Sequence, residues 1–255
     1  MSAQADSMGL RAVDGVLLDV DDTLVDTRGA FEHALAQVAR AYLPDLPDTR
    51  LGEVLAAWRA DVSGHYRRYT RGEIGYVEQR RERANELHEA FGGPVLDEAA
   101  FRAWDEVFEQ GFAAGWTAHP DASGAIDALT GAGLAVGALT NAAVGYQTQK
   151  MTATGLGHVP VLVGMDTLGV GKPAPQVFLE GCRRLGTDPG RTVYVGDELD
   201  IDALAAVQAG LVGVWLDRPG GRRHVIGDEE IEGAVQAGVR VIGSLGQLVG
   251  LVRTV

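Results

Sequence analysis

The sequence is poor in cysteine, in basic charge and in long apolar runs. Its 255 residues include one cysteine, Cys182, which excludes an internal disulfide and fits a reducing compartment. The chain has 22 lysine and arginine residues against 35 aspartate and glutamate residues, and its formal net charge is −13. This excess of negative charge argues against binding to the phosphate backbone of nucleic acids or to anionic membrane surfaces.

Segments that would direct the chain into or across a membrane are also missing. No uninterrupted apolar run is long enough to span a bilayer. The first eleven residues are polar and lack the apolar centre of a signal peptide. We therefore expect a cytoplasmic protein. The six histidines show no metal-ligand spacing, and there is no Gly-x-Ser-x-Gly elbow, which argues against a histidine zinc site and a serine hydrolase.

What the chain does contain is an alternation of short apolar strands with helical patterns. This alternation is typical of βαβ units around a parallel sheet. The expected strands cover residues 16–19, 134–139, 161–163, 192–195 and 212–216. We therefore predict an α/β fold with a doubly wound, Rossmann-like parallel sheet.

The alternation stops between about residues 29 and 116, where the patterns are those of amphipathic helices. A segment of this length is too long for a simple crossover between two strands. The sequence therefore predicts two domains, a core formed by residues 1–28 and 117–255 and a helical cap formed by residues 29–116.

Three carboxylates, those of Asp19, Asp21 and Asp22, follow directly behind the first expected strand. Ionised groups at the end of a buried strand need a compensating partner, such as a divalent cation or a phosphorylated ligand. The simpler alternative is a solvated turn or a helix cap.

The later strand ends carry further polar residues, which in chain order are Thr140 and Asn141, Lys172, and then Asp197, Glu198, Asp200 and Asp202. Taken singly, each fits a turn, a cap or a surface lysine. Because the carboxyl ends of parallel strands meet at one edge of the sheet, their occurrence in order predicts a shared site.

The residue types at these ends point to phosphoryl transfer. Asp19 and Asp197 offer the hard oxygen ligands that Mg²⁺ prefers, and Lys172 offers a positive charge to phosphoryl oxygens. An aspartate can itself be the nucleophile and form an aspartyl-phosphate. A second aspartate two residues later, Asp21, is placed to protonate the leaving oxygen and then to activate water.

These segments resemble the motifs of the haloacid dehalogenase superfamily of phosphohydrolases. Residues 19–26, the pair Thr140-Asn141, residues 172–178 and residues 195–202 resemble the first to fourth motifs of that family. The resemblance covers about residues 13–27 and 129–217. The helical insert is similar in placement and type to the small cap of the phosphatase branch, which includes phosphoglycolate phosphatases.

The resemblance implies a role for each acidic residue. Asp19 would be the nucleophile and a Mg²⁺ ligand, and Asp21 the general acid/base, with its backbone carbonyl also meeting the metal. Asp197 would be the remaining protein ligand of Mg²⁺. Asp202 would support either the metal shell or the lysine of the site.

The phosphate-binding residues implied by the resemblance are Thr140 and Lys172, which would hold the phosphoryl group, and Asn141, which would orient the phosphate loop. The sequence departs from the family pattern at two positions. Asp22 stands where glycine is common, and aspartate is among the better substitutes if the turn needs a positive φ. Glu198 stands where serine is common, and we predict only a supporting role for it.

The predicted function is Mg²⁺-dependent hydrolysis of a small phosphorylated metabolite. Alternatives are a 2-haloacid dehalogenase, a branch that lacks the second aspartate, and a non-catalytic protein that binds a phosphorylated ligand on the same fold. A signalling receiver domain is much shorter and has no helical insert. The oligomeric state is left open.

The identity of the substrate is expected to depend on the cap. The cap sequence contains a run of cationic and aromatic residues, namely His65, Tyr66, Arg67, Arg68, Tyr69, Arg71, Arg80, Arg81 and Arg83. Some of them are candidates for binding a second anionic group, a base or a sugar of the substrate. The alternative is a solvated helix face.

Overall fold

The computed structural model of the chain describes residues 13–222 and 225–253. The signal-peptide expectation rests on the first eleven residues and therefore falls outside the described part. None of the helices in the described ranges is long and apolar enough to cross a membrane.

Six parallel strands form one sheet, and their bounds are Gly15–Leu18 (β1), Ala135–Leu139 (β2), Val161–Val163 (β3), Thr192–Gly196 (β4), Val212–Leu216 (β5) and Arg240–Ile242 (β6). The strand order is β3-β2-β1-β4-β5-β6. All four residues of β1 are buried, as expected for a strand covered on both faces. The predicted α/β fold is confirmed, and β6 is an additional strand that the sequence analysis did not predict.

Helices cover both faces of the sheet, with bounds Ala122–Gly131 (α6), Val144–Ala153 (α7), Met165–Leu168 (α8), Pro175–Leu185 (α9), Ala205–Gln208 (α10), Asp228–Gln236 (α11) and Leu245–Arg253 (α12). A π-helical segment, Leu199–Leu204, precedes α10. Cys182 on α9 is buried among apolar side chains, which agrees with a structural role for the thiol.

The segment between β1 and α6 is mainly helical. Its α-helices are Thr27–Tyr42 (α1), Leu51–Ala60 (α2), His65–Thr70 (α3), Tyr76–Phe91 (α4) and Glu98–Ala114 (α5). They enclose a separate cluster of buried apolar side chains, in which Trp58, Trp104 and Phe108 pack against one another with centroid distances of 5.2 to 5.9 Å. This second core supports the predicted division into a core and a cap, and the boundaries at residues 28 and 116 stay a prediction.

The strand order places β1 between β2 and β4. The chain connections that follow β1 and β4 lie on opposite sides of the sheet. Ligands of open α/β sheets bind where the connections change sides in this way, in the crevice outside the carboxyl ends of the strands. The acidic residues after β1 and β4 therefore lie at the position where this fold forms a ligand crevice.

Candidate active site

The loop after β1 turns sharply and leaves two aspartates at the strand end. The Asp19 amide continues the sheet by donating to the Val195 carbonyl at 2.8 Å. Asp22 adopts a φ of 58°, so the turn does require the positive φ that aspartate tolerates. The Asp22 carboxylate accepts from the Arg28 amide at 2.7 Å and from the Arg59 guanidinium at 3.0 Å. Asp22 thereby links the loop to helices α1 and α2.

Lys172 lies at the centre of a buried cluster. Its Nζ atom donates to Asp19 Oδ1 and to Asp202 Oδ1, each at 2.6 Å, and to the Tyr194 hydroxyl at 2.9 Å. The Tyr194 hydroxyl in turn donates to Asp202 Oδ1 at 3.0 Å. The side chains of Lys172, Asp19 and Asp202 are all at most 6% exposed. The two carboxylates thus share one ammonium group.

Burial and charge shift the ionisation of this cluster in opposite directions. Burial raises the pKa of Asp19, Lys172 lowers it, and Asp202 and Asp21 add to the rise, so that the pKa lies at about 8. For Lys172, burial alone lowers the pKa, but Asp19 and Asp202 together hold it well above its ordinary value. The lysine is therefore a permanent cation, and Asp19 lies in a field that penalises its negative charge.

Asp197 completes an acidic group that suits a divalent cation. Carboxylate oxygens of Asp19, Asp197 and Asp202 all lie within 4.8 Å of one another. Burial raises the pKa of Asp197 well above its ordinary value, and the surrounding acidic residues Asp22, Glu198, Asp19 and Asp202 add to the effect. Hard oxygen donors that repel one another are what Mg²⁺ binds and stabilises. Asp19 and Asp197, with Asp202 beside them, are therefore donors of the kind that a divalent cation binds.

Asp21 has a separate set of partners. Its carboxylate accepts from Lys150 Nζ at 2.6 Å, from Gln147 Nε2 at 2.6 Å and from the Thr27 hydroxyl at 2.8 Å. Burial raises the pKa of Asp21, but Lys150, Thr27 and Gln147 outweigh burial and lower it overall. The Asp21 carboxylate is 35% exposed, so it is fixed in place and still open to the adjoining cavity.

Both lysines of the chain are in this site. The sequence contains only Lys150 and Lys172, and every other strong base is an arginine. Lys150 is 2% exposed and contacts Asp21, whereas Lys172 is 4% exposed and contacts Asp19. The two aspartates, two positions apart, are therefore each held by a different buried ammonium group.

Thr140 and Asn141 lie beside this cluster, where the sequence analysis placed them. Asn141 Oδ1 accepts from the Lys172 amide at 2.6 Å, and its Nδ2 donates to the Lys172 carbonyl at 3.0 Å. A Cβ atom at Gly171 would lie 2.4 Å from Asn141 Oδ1, so glycine permits this close contact. The Thr140 hydroxyl accepts from Gln147 at 2.9 Å. Asn141 thus fixes the backbone that carries Lys172.

The residues after β4 divide between the site and the surface. Asp202 Oδ2 accepts from the Glu198 amide at 3.0 Å, and this contact fixes the turn behind Asp197. A Cβ atom at Gly196 would lie 2.4 Å from the Asp202 carboxyl group, so glycine is required there as well. Glu198 lines the adjoining cavity, whereas Asp200 is exposed and lies outside it.

A cavity of about 550 Å³ lies between the sheet edge and the helical insert. All eight site residues predicted from the sequence line it: Asp19, Asp21, Thr140, Asn141, Lys172, Asp197, Glu198 and Asp202. The helical insert and α7 supply the opposite wall, with Phe31, Tyr66, Tyr69, Tyr76, Arg80, Arg83, Asp105, Glu109, Phe112, Tyr146 and Lys150.

Sequence reasoning missed the partners of Asp21 on α7 and the acidic residues on α5. Gln147 and Lys150 are three positions apart and therefore lie on one face of α7. Both are buried, although their type predicts exposure. The scarcity of lysine was the available signal, since one of the only two lysines already belonged to a predicted motif.

Comparisons with known proteins identify the family of the chain. Residues 13–210 match the family model of the haloacid dehalogenase-like hydrolases. The chain is 31% identical over 211 residues to the glyceraldehyde 3-phosphate phosphatase of Methanopyrus kandleri, which covers 81% of this chain and 84% of the relative.

Solved structures with the same fold include a magnesium-bound HAD-hydrolase and a haloacid dehalogenase. The HAD-hydrolase YfnB from Bacillus subtilis, bound to magnesium, has a TM-score of 0.73 at 20% identity and covers 95% of this chain and 99% of its own. The L-2-haloacid dehalogenase from Xanthobacter autotrophicus has a TM-score of 0.69 at 19% identity, with the same coverage of both chains. At these identities the likeness shows the fold alone.

Proposed function

Because the chain belongs to the haloacid dehalogenase-like hydrolases, within which it is a phosphatase, we propose that it hydrolyses a small-molecule phosphomonoester with Mg²⁺ through an aspartyl-phosphate on Asp19. The observation that carries the proposal is that two aspartates are held by two different lysines. Asp19 contacts Lys172, and Asp21 contacts Lys150, at 2.6 Å in each case. This difference in partners supports different roles for the two carboxylates, Asp19 as the nucleophile and Asp21 as the proton carrier.

In the first half of the reaction, a carboxylate oxygen of Asp19 forms a bond to phosphorus and the bond from phosphorus to the alcohol oxygen breaks. Asp21 gives its proton to the departing oxygen. Lys172 and the Thr140 hydroxyl stabilise the negative charge that spreads over the phosphoryl oxygens.

In the second half, the Asp21 carboxylate takes a proton from water as the water oxygen attacks the phosphorus of the aspartyl-phosphate. The bond between phosphorus and Asp19 breaks, and inorganic phosphate and the free Asp19 carboxylate result. The lowered pKa of Asp21 favours the carboxylate form that this half requires, and the proton that Asp21 takes up here is the one that it gives to the departing oxygen in the next turnover.

Asp19, Asp197 and the backbone carbonyl of Asp21 would hold Mg²⁺, with Asp202 supporting the site through Lys172. When bound, the ion would supply positive charge that neutralises the phosphate and the crowded carboxylates. We do not assign Asp202 as a direct metal ligand, because its two oxygens already accept from Lys172, Tyr194 and the Glu198 amide.

Asp21 also argues against a dehalogenase. A halide leaving group needs no proton, whereas an alcohol does. Three side chains hold the Asp21 carboxylate at the cavity, which is an arrangement that a dehalogenase has no use for.

The test is phosphate release from a panel of small phosphomonoesters by metal-free protein, with Mg²⁺ then restored. We expect Mg²⁺ to raise the rate at least about a hundredfold, in line with several kcal/mol of charge stabilisation. Turnover that is independent of any divalent cation would contradict the metal part of the proposal. Halide release from 2-chloropropionate without phosphate release would favour the dehalogenase.

Lys150 offers a test at a residue outside the family motifs. We expect Lys150→Met to lower kcat/KM about tenfold to a hundredfold, because Asp21 loses its only charged partner among the described residues while Thr27 and Gln147 still hold it. Methionine keeps the unbranched chain that packs among the rings of Phe112 and Tyr146.

The control for this variant uses the scarcity of lysine. In protein labelled with ¹⁵N at lysine, Lys150→Met leaves one side-chain signal, that of Lys172. An unchanged Lys172 signal together with reduced turnover supports a positioning role. Wild-type turnover, or a shifted Lys172 signal that reports a disturbed core, would count against it.

A further inference from the structure

The wall of the cavity that faces the sheet edge contains two arginines whose charges are already matched. Arg80 is 6% exposed and donates to Glu109 at 2.7 Å and to Asp105 at 3.3 Å. Its guanidinium also stacks on the Phe108 ring at 4.5 Å. Arg80 is therefore a structural cation that ties α4 to α5.

Arg83 is bound in a similar way. It is 6% exposed, donates to the Trp58 carbonyl at 2.7 Å, and lies 3.5 Å from Asp61. Its guanidinium stacks on the Trp58 ring at 4.0 Å. The other arginines of the run, Arg67, Arg68, Arg71 and Arg81, do not line the cavity. The sequence predicted either binding of an anionic group or a solvated helix face. Arg80 and Arg83 match neither prediction, since both side chains are buried and both have a carboxylate partner within the cap.

Negative charge is in excess at this end of the cavity. Asp105 and Glu109 lie one turn apart on α5, and their side chains are 32% and 30% exposed. Glu109 also accepts from the Tyr146 hydroxyl at 2.8 Å. Arg80 balances one of the two charges and leaves one negative charge facing the cavity. A carboxylate or second phosphate of the substrate would meet repulsion here.

Aromatic rings form the rest of this end. Tyr69 lies 6.1 Å from Tyr66 and 5.6 Å from Tyr76, measured between ring centroids, and Phe31 lies 4.6 Å from Phe112. Rings of this kind offer flat faces that pack against another ring. A cavity of about 550 Å³ is also larger than a three-carbon phosphate needs.

We propose that the alcohol part of the substrate carries a ring and an amino or hydroxyl group and no second negative charge, and that Asp105 and Glu109 determine this preference. The inference rests on the proposed function, because it assumes that the phosphoryl group binds at Lys172 and that the alcohol extends towards the cap. An amino group would form an ion pair with the excess carboxylate, and a hydroxyl group would donate a hydrogen bond to it.

The test uses three aryl phosphates of the same size, which differ only in the group that ends the para side chain. Phosphotyramine carries an ammonium group, 4-(2-hydroxyethyl)phenyl phosphate a hydroxyl group, and 4-(carboxymethyl)phenyl phosphate a carboxylate. We expect kcat/KM for the ammonium compound to exceed that for the carboxylate compound at least about tenfold, with the hydroxyl compound between them. Phosphoethanolamine, which has the amine and no ring, should be the poorest substrate of the amines.

Two variants assign the preference to α5. Glu109→Gln combined with Asp105→Asn should reduce the ratio of ammonium to carboxylate compound to about threefold or less, because the charge is lost while the shape is kept. Glu106→Gln is the matched control, since Glu106 is exposed on the same helix and does not line the cavity; it should leave the ratio unchanged. A purely structural role of Asp105 and Glu109 would weaken all three substrates equally and would overturn the assignment.

Binding measurements distinguish a failure of this inference from a failure of the proposed function. The dissociation constants of the three aryl phosphates and of phosphoethanolamine on Asp19→Asn, measured by calorimetry, should follow the same order without any turnover. If wild-type protein releases no phosphate and the order still holds, the proposed reaction fails and the inference stands. Equal or tighter binding of the carboxylate compound, or of phosphoethanolamine over phosphotyramine, overturns the inference.

Discussion

Asp19→Asn is expected to reduce phosphate release by at least about 10⁴-fold. The amide of asparagine cannot attack phosphorus to form the acyl-phosphate, although its oxygen can still accept from Lys172. The measurement is single-turnover and steady-state phosphate release with Mg²⁺ present, on the best substrate of the panel. Asp127→Asn is a suitable control, because the Asp127 side chain is 69% exposed and lies outside the cavity.

The same substitution has an expected signature in stability that turnover does not report. Asp19 has a pKa of about 8 in the folded chain, against an ordinary value of 3.8. Between these values the folded state binds a proton that the unfolded state has lost, so metal-free protein loses stability as pH rises from about 4 to 8. Asp19→Asn should flatten this decline in urea unfolding. Turnover above about 0.01% of wild type, or an unaltered decline, would contradict the role given to Asp19.

Lys172→Met is expected to lower the free energy of unfolding by about 3–5 kcal/mol and to abolish phosphate release. The substitution leaves Asp19 and Asp202 side by side, at most 6% exposed, without the ammonium group they share. Urea unfolding at neutral pH measures the stability, and phosphate release measures the activity.

A double variant distinguishes the loss of charge from a loss of packing. Lys172→Met with Asp202→Asn removes one of the two stranded charges, so it should regain part of the stability while phosphate release stays absent. If the single variant unfolds within about 1 kcal/mol of wild type, the buried cluster contributes far less than its geometry indicates.

The fold could be predicted from the sequence where the signal was local. The strands β1 to β5 are short apolar runs bounded by turns. Such runs can be recognised in the sequence without any knowledge of the strands beside them. Strand β6, residues Arg240–Ile242, is only three residues long and carries an arginine at the sheet edge. A run that short forms because β5 offers it a partner, and nothing within the run itself indicates a strand.

The site could be predicted where its residues follow strands. Asp19, Lys172 and Asp197 belong to segments at the carboxyl edge, and parallel topology alone brings that edge together. Lys150 instead reaches Asp21 across 129 positions of the chain from a helix face. The direction of that face depends on how α7 packs, which the spacing of Gln147 and Lys150 does not reveal.

The charge of the cavity also could not be predicted from the sequence. The run of arginines in the cap is plain in the sequence, yet its composition fitted both an anion-binding wall and a solvated helix face. The structure pairs Arg80 with Asp105 and Glu109, which lie 25 and 29 positions further along the chain. Formal charge is therefore a poor guide to the field inside a pocket, since partners on another helix decide it.

The sequence by itself determined the α/β fold and the polar residues that follow its strands, because strands and the loops that follow them are local features. Only the tertiary structure decided which cation each carboxylate meets. Lys172 holds Asp19, Lys150 holds Asp21, and Arg80 forms ion pairs with acidic residues of the cap. Those pairings depend on the packing of helices distant in sequence, and they set both the cation that holds each aspartate and the charge that faces the cavity.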